Sequence, residues 1–249
     1  MNGSALAVAL ALGTLSGATA SIVGFGIGSL LTPLFAAWMA MDVAVAAVTL
    51  PHLFATALRC YRMRTSIDAG VLARFGLLSA GGGLAGALAY ARLGPSALTA
   101  VLGALLVLTA FANLTGVFAR MKPGGRMAAC LGLASGFFGG IAGNQGGLRS
   151  AALGAFGLSP QIFVATSTAT ALLVDLARTP VYAAVSAAEL WTVRWPIVSA
   201  TCGVLIGTLV GERILFGLSP ATFRRVLSAA VGLLGVWLLL RRLFAGGVS

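Results

Sequence analysis

The chain has 249 residues, of which 59% are hydrophobic and only 8% are charged, and its mean hydropathy is +1.03. Because a soluble domain carries roughly 25% charged residues, this composition excludes a soluble protein and indicates an integral membrane protein. The net charge of +11 would suggest nucleic-acid binding in a soluble protein, but the basic residues here lie at the ends of apolar stretches, so no nucleic-acid partner is expected.

Eight apolar stretches follow one another along the chain. Most are close to the roughly 20 residues that a helix needs to cross the hydrocarbon of a bilayer, and none shows the alternation of a β-barrel strand. The sequence therefore predicts an all-α integral membrane protein, a single transmembrane domain over residues 1–249 with about eight segments. These segments are 4–36, 43–58, 70–91, 96–119, 127–157, 161–186, 192–211 and 222–240.

Segments 1 and 5 are too long for a single crossing. With 33 and 31 residues, straight helices would be about 45–50 Å long, against a hydrocarbon core of about 30 Å. Each contains a glycine cluster, Gly24–Gly28 and Gly143–Gly147. We predict that both helices are discontinuous at these clusters. Unwound backbone at membrane depth needs burial or a wet cavity, so the two breaks are expected to face a shared site.

The two glycine clusters are 119 residues apart, and the same shift pairs other identical residues. This pattern predicts an internal duplication, with halves at about 4–119 and 123–242. A glycine-interrupted segment at the same place in each half is typical of a transporter's binding site. The identical pairs include Gly13 with Gly132, Ser16 with Ser135, Gly17 with Gly136, Val45 with Val164, Thr49 with Thr168 and Arg59 with Arg178.

The distribution of basic residues fits two topologies. Eight simple crossings place eleven Lys and Arg residues on one face and four on the other, which puts both termini in the cytoplasm and makes the halves parallel. If segments 1 and 5 enter the membrane and return, each half has three crossings, the halves are inverted, and the counts become ten and five. We prefer eight crossings because residues 4–22 are long enough to span, but the charges leave both topologies open.

Arg149 follows the second glycine cluster by two residues. There it is expected in the first turn of a half-helix near the bilayer centre, where a cation opposes the helix dipole and costs roughly 2.5–3.5 kcal/mol on insertion scales. A bound anion would offset both effects, since free N–H groups and the guanidinium would converge on it. Two alternatives stay open, namely pairing with Asp175 and snorkelling to the membrane interface.

Other polar residues near the breaks are further candidates for binding. Asn144 and Gln145 can donate to an oxyanion or satisfy the unwound backbone. Thr166 and Thr170, spaced i and i+4 on segment 6, either contact substrate or serve helix packing. The candidate substrate-binding residues are Gly24, Gly26, Gly28, Asn144, Gln145, Gly146, Gly147, Arg149, Thr166 and Thr170.

Three ionisable residues form a separate group. Asp175 and Arg178 lie at i and i+3 and are expected to form an ion pair. An intramembrane carboxylate is also a proton-relay candidate. His52, the only histidine, is either a packed, hydrogen-bonded group or a proton-coupling residue. We therefore group Asp175, Arg178 and His52 as a coupling set or a structural ion pair.

Enzyme chemistry has no support in the sequence. There is no catalytic pair of carboxylates, no His/Cys cluster, and no GxSxG or HExxH motif. The cysteines Cys60, Cys130 and Cys202 have no metal-ligand or disulfide spacing. No catalytic residue, metal or cofactor is expected.

The glycine motifs resemble those of the TauE/SafE family of sulfite and organosulfonate exporters. In that family each half opens with a Gly-x-Gly-Gly-Gly cluster followed by a Pro-x-Leu-like element. Here Ile27 replaces a family glycine, and Ala152 stands where the repeat would place a proline. The copies read Gly24-Phe25-Gly26-Ile27-Gly28 with Pro33-Leu34, and Gly143-Asn144-Gln145-Gly146-Gly147-Leu148-Arg149-Ser150-Ala151, followed by Phe163–Ala169 and Val174–Tyr182.

The resemblance implies a secondary transporter, an exporter of a small anion such as sulfite, an organosulfonate or a related carboxylate, coupled to the proton gradient. We expect alternating access around the two broken helices in a bacterial inner membrane. The lipid bilayer and the anion are the expected partners, and a homo-oligomer is left open. The rival hypothesis is a non-transporting scaffold, assembly or sensor protein, in which glycine and alanine serve only close packing.

Overall fold

The computed structural model describes residues 3–23, 26–116, 125–143, 146–154, 156–214 and 220–245. Every element within these residues is helical. A 3-10 turn at Arg64–Ser66 follows α3, and a π-helical turn at Leu72–Gly76 joins α4 to α5. The helices are α1 (Gly3–Val23), α2 (Ile27–Phe35), α3 (Met41–Arg62), α4 (Ala69–Val71), α5 (Leu77–Tyr90), α6 (Pro95–Thr115), α7 (Gly125–Ala142), α8 (Gly146–Gly154), α9 (Pro160–Val185), α10 (Ala187–Thr192), α11 (Arg194–Ile214) and α12 (Pro220–Ala245).

Seven helices within the described residues are long and apolar enough to cross a membrane. The predicted all-α membrane architecture is confirmed. The count of eight crossings stays a prediction, because predicted segment 8 corresponds to the 26-residue α12, which is not among the seven spans found in the described residues. Large apolar side chains such as Leu77 and Leu233 are exposed, as expected for a surface that faces lipid. The seven candidate spans are Gly3–Ile22, Met41–Arg62, Ala69–Tyr90, Pro95–Thr115, Gly125–Ala142, Pro160–Val185 and Arg194–Gly211.

Several helix ends follow from local sequence signals. Pro95 and Pro160 stand at the first positions of α6 and α9, where a missing N–H costs nothing. Gly116 ends α6 in the left-handed conformation. The Asp68 side chain accepts a hydrogen bond from Val71 N at 2.8 Å and so begins α4.

Each of the two long segments contains two helices. The first holds α1 and α2, and the second holds α7 and α8. At the junctions, Gly26 has φ 134° and Gly143 has φ 70°, values that disfavour any side chain. The other residues of the junctions, Gly24, Phe25, Asn144 and Gln145, lie outside the described residues.

Two helix pairs pack through glycine. α1 runs along α11, and α5 runs along α7. A Cβ at Gly17 would lie 2.2 Å from the Val204 carbonyl oxygen, and a Cβ at Gly136 would lie 1.9 Å from the Ser79 carbonyl oxygen. Backbones approach this closely only where small residues line the interface. Each pair joins a helix from the first half of the chain to one from the second.

The central helices α3 and α9 run antiparallel. Beyond the end of α3, Ser66 Oγ contacts Gln161 Nε2 in the first turn of α9 at 3.1 Å. At the opposite end, the Tyr90 hydroxyl links the start of α3 to the end of α9. It donates to the Asp42 carbonyl at 2.9 Å and lies 3.1 Å from Ser186 Oγ. The start of one helix therefore lies beside the end of the other.

Candidate functional site

The carboxylate of Asp175 is buried between α3 and α9. Its Oδ1 accepts hydrogen bonds from Arg178 Nε at 3.1 Å and Nη2 at 2.8 Å. Its Oδ2 accepts one from Thr56 Oγ1 at 2.9 Å and lies 2.6 Å from His52 Nδ1. Because an ionised carboxylate can only accept, His52 Nδ1 is the donor. The expected Asp175–Arg178 ion pair is present, and His52 joins it in one buried cluster.

Arg178 ties this cluster to the second glycine junction. Its Nη1 donates to the Gly139 carbonyl at 2.8 Å, near the end of α7. A Cβ built at Gly143 would lie 3.6 Å from Arg178 Nη1 and 3.7 Å from Thr32 Oγ1 of α2. The guanidinium of α9 therefore binds the end of α7, and Gly143 of the junction lies between this guanidinium and Thr32 of α2.

Arg149 lies in the first turn of α8 and is only 2% exposed. Its Nε donates to Ser167 Oγ of α9 at 2.9 Å. Its Nη1 is buried and has no hydrogen-bond partner among the described residues. The described residues give it no salt bridge either, because the carboxylate of Asp175 pairs with His52 and Arg178.

The threonines of α9 differ in their contacts. Thr166 Oγ1 accepts a hydrogen bond from the Asp68 backbone N–H at 3.0 Å, so Thr166 supports the loop after α3. Thr168 Oγ1 and Thr170 Oγ1 are buried and have no partner within the described part of the chain. Both of these hydroxyls keep a hydrogen-bond donor that a ligand can use.

The candidate glycines flank the two helix junctions. Gly26 and Gly28 are buried at the start of α2, and Gly146 is buried as the first residue of α8. Gly147 follows within α8. The remaining candidates of the two clusters, Gly24, Asn144 and Gln145, lie outside the described residues.

The described interior carries excess positive charge. Arg59, Arg149 and Arg178 are all buried, and Asp175 is the one buried carboxylate among the described residues. With His52 neutral, the excess is two positive charges. Asp175 attracts Arg149 electrostatically, while Arg59 and Arg178 repel it. Uncompensated charge in a low-dielectric interior is unfavourable, so this region favours a bound anion.

Sequence reasoning did not select three residues that the structure places here. Thr56 contacts Asp175, Ser167 contacts Arg149, and Arg59 is buried although it directly follows the predicted segment 43–58. A signal for Thr56 was present, because the shift of 119 pairs it with Asp175. The contact of Ser167 with Arg149 depends on how α8 packs against α9, which the sequence does not specify.

Together, the apolar helices and the charged interior define a multi-pass helical membrane protein with a candidate anion-binding centre. Residues 9–238 match the sequence model of the family described as sulfite exporter TauE/SafE, so the chain belongs to this family. It is a family of membrane transporters, not of enzymes, and membership implies export of sulfite or a related anion. No curated protein and no solved structure matches the chain.

Proposed function

We propose that this protein is a secondary transporter that exports a small anion and that Arg149 is the counter-charge of that anion. The observation that carries the proposal is the buried guanidinium of Arg149, whose Nη1 has no partner within the described residues. A bound oxyanion would satisfy this donor and offset the burial cost of its charge. Sulfite or an organosulfonate is the first candidate, and a related carboxylate is the wider class.

The start of α8 adds backbone donors to the same place. α8 has nine residues, and Arg149 lies in its first turn. The free N–H groups at a helix N-terminus attract anions, and glycines there allow a ligand to come close to the backbone. The unpartnered hydroxyls of Thr168 and Thr170 complete the proposed donor set. Gly146, Gly147, Asn144 and Gln145 belong to it by their position in the chain.

Inverted halves provide a route to alternating access. The antiparallel course of α3 and α9, which the shift of 119 makes equivalent, favours the topology in which segments 1 and 5 enter the membrane and return. The glycine contacts support the duplication. Gly17 meets Val204 and Gly136 meets Ser79, so equivalent helices make equivalent contacts across the halves. In this scheme, one group of helices rocks against the other around the site.

Coupling to the proton gradient fits the buried cluster around Asp175. His52 Nδ1 lies 2.6 Å from Asp175 Oδ2, and a buried carboxylate and imidazole are groups that proton-coupled carriers use. The same cluster serves equally as a structural ion pair that joins α3 to α9. The bacterial inner membrane is the proposed location.

The rival hypothesis is a membrane scaffold or sensor without transport. A scaffold gains nothing from an uncompensated guanidinium in its interior, so Arg149 argues against it.

A thermal-stability screen of the purified protein against sulfite, sulfate, sulfonates and short carboxylates separates the two hypotheses. A ligand that binds only the native state raises the melting temperature. An anion that stabilises the wild type should also cross liposomes that contain the protein. If no anion stabilises the protein or crosses these liposomes, the transporter proposal is wrong.

A further inference from the structure

A charged cavity lies among α1, α3 and α11. Its volume is about 210 Å³. None of its described lining residues belongs to α8 or α9, whereas Arg149 and its contact Ser167 belong to those two helices. The lining consists of Ser21, Arg59, Arg62, Met63, Thr208 and Leu209.

Two guanidinium groups meet at this cavity. Arg59 and Arg62 lie at i and i+3 at the end of α3, so both side chains are on one face of the helix. Arg59 is 6% exposed, and its Nη2 is buried without a hydrogen-bond partner among the described residues. Arg62 is exposed. The cavity therefore has a buried cation at its inner side and an exposed cation at its mouth.

Hydroxyl groups supply the rest of the polar lining. Ser21 Oγ lies within hydrogen-bonding distance of two carbonyl oxygens, those of Gly17 at 3.1 Å and Thr208 at 3.2 Å, and has one O–H to donate to them. Thr208 Oγ1 is buried and lacks a partner within the described part of the chain. Among the lining residues that the structure describes there is neither Asp nor Glu. Two guanidinium groups and an unpartnered hydroxyl are donors of the kind that bind an oxyanion.

We propose that this cavity is a second oxyanion site, a vestibule from which the transported anion reaches Arg149 or into which it leaves. The role in transport rests on the proposed function, whereas binding at the cavity does not. Arg59 and Arg149 repel each other electrostatically. An anion bound at Arg59 would therefore offset part of this repulsion. A lipid phosphate has the same chemistry, but the cavity lies between packed helices and includes Ser21 and Thr208 of the α1–α11 interface, which favours a free anion.

The experiment uses the full chain in uncharged detergent, titrated with sodium sulfate at constant ionic strength, with melting temperature as the readout. In Arg149→Ala, sulfate should still raise the melting temperature. In Arg149→Ala/Arg59→Gln, this response should weaken about tenfold in apparent affinity, because a charge-assisted hydrogen bond is lost. Arg149→Ala/Arg74→Gln is the matched control. It removes one exposed positive charge outside the cavity and should respond like Arg149→Ala.

The outcomes separate the two sites. If Arg149→Ala loses all response while the wild type responds, the vestibule is refuted and the Arg149 site stands. If the entire wild-type response depends on Arg59 and none on Arg149, the vestibule stands and the proposed function is refuted. If the Arg59 and Arg74 variants lose the response equally, or the wild type does not respond, the vestibule is refuted.

The experiment includes one more variant and one lipid titration. Thr208→Val replaces an unpartnered hydroxyl, so it should fold even if Arg59→Gln does not, and it should weaken the sulfate response of Arg149→Ala. Phosphatidylglycerol in mixed micelles tests the lipid source. Arg59-dependent stabilisation by this lipid but not by sulfate would assign the cavity to a headgroup and overturn the free-anion proposal.

Discussion

The Thr56 hydroxyl donates to the Asp175 carboxylate at 2.9 Å, and the two residues are 119 positions apart. The same shift separates the two glycine clusters. Residues that are equivalent in a duplicated chain can touch only where the symmetry axis passes between them. If the halves are related by a two-fold axis, the buried carboxylate lies beside it, at the place where α3 and α9 cross.

The first prediction concerns Arg149→Ala. We expect this variant to lose stabilisation by anions at the Arg149 site and to lose transport, with a melting temperature that is unchanged or higher without ligand. The reason is that the burial cost of the charge disappears with the charge. The measurements are flux into liposomes and melting temperature with and without sulfite. Arg74→Ala, at an exposed position, is the control and should behave like the wild type.

Arg149→Lys should keep part of the anion response, because an ammonium keeps the charge but not the planar fork. If Arg149 were instead the partner of Asp175, Arg149→Ala would lower stability, and Asp175→Asn would partly restore it. Wild-type flux and anion response in Arg149→Ala would refute the assignment of the site.

The second prediction concerns the Asp175 cluster. Asp175→Asn should destabilise the protein by about 3–5 kcal/mol, because it leaves the buried Arg178 without a counter-charge. Thr56→Val should cost only about 1 kcal/mol, since Asp175 Oδ2 keeps His52. Chemical unfolding in mixed micelles measures both values. Equal losses in the two variants would mean that the ion pair is not the dominant interaction.

The third prediction uses two adjacent glycines of α5. A Cβ at Gly82 would lie 2.1 Å from the Leu133 carbonyl oxygen of α7, whereas a Cβ at Gly81 would meet nothing within 4 Å. Gly82→Ala should therefore destabilise by about 1–3 kcal/mol through overpacking. Gly81→Ala should be neutral or stabilise by up to about 1 kcal/mol, as helix propensity dictates. Melting curves that coincide for the two variants would contradict the close α5–α7 contact.

The fourth prediction tests the topology with single cysteines. Arg64→Cys and Ser159→Cys should react with an impermeant maleimide from the same face of the membrane, and Ala187→Cys from the opposite face. Eight simple crossings would instead place Arg64 with Ala187 and leave Ser159 alone. Labelling of oriented vesicles decides between the two. Each single-cysteine variant is made in a protein whose native cysteines Cys60, Cys130 and Cys202 have been replaced.

Local spacing predicted one buried ion pair. The i and i+3 spacing of Asp175 and Arg178 placed both groups on one face of a helix, and their ion pair follows. Segment lengths and glycine clusters indicated where α1 and α7 end. These features depend on residues within a few turns of one another, so the sequence alone contains them.

Contacts between residues far apart in the chain could not be predicted from the sequence. His52 is 123 residues from Asp175, and their contact exists only because α3 packs against α9. Arg59 directly follows the predicted segment 43–58, yet α1 and α11 cover it, as its cavity neighbours Ser21 and Thr208 show. Thr166 was grouped with Thr170 by spacing, but it contacts Asp68, whose position is fixed by the loop after α3.

The two glycine-packed helix pairs, α1 with α11 and α5 with α7, differ in the time that passes during synthesis between the first helix and its partner. Ser21 of α1 bonds Thr208, 187 residues later, whereas Ser79 of α5 bonds Gly132, only 53 residues later. At usual ribosome speeds these intervals are roughly 10–40 s and roughly 3–10 s. The glycine face of α1 therefore stays in the lipid without its partner for much of translation, and α1 is exposed to competing contacts for longer than α5.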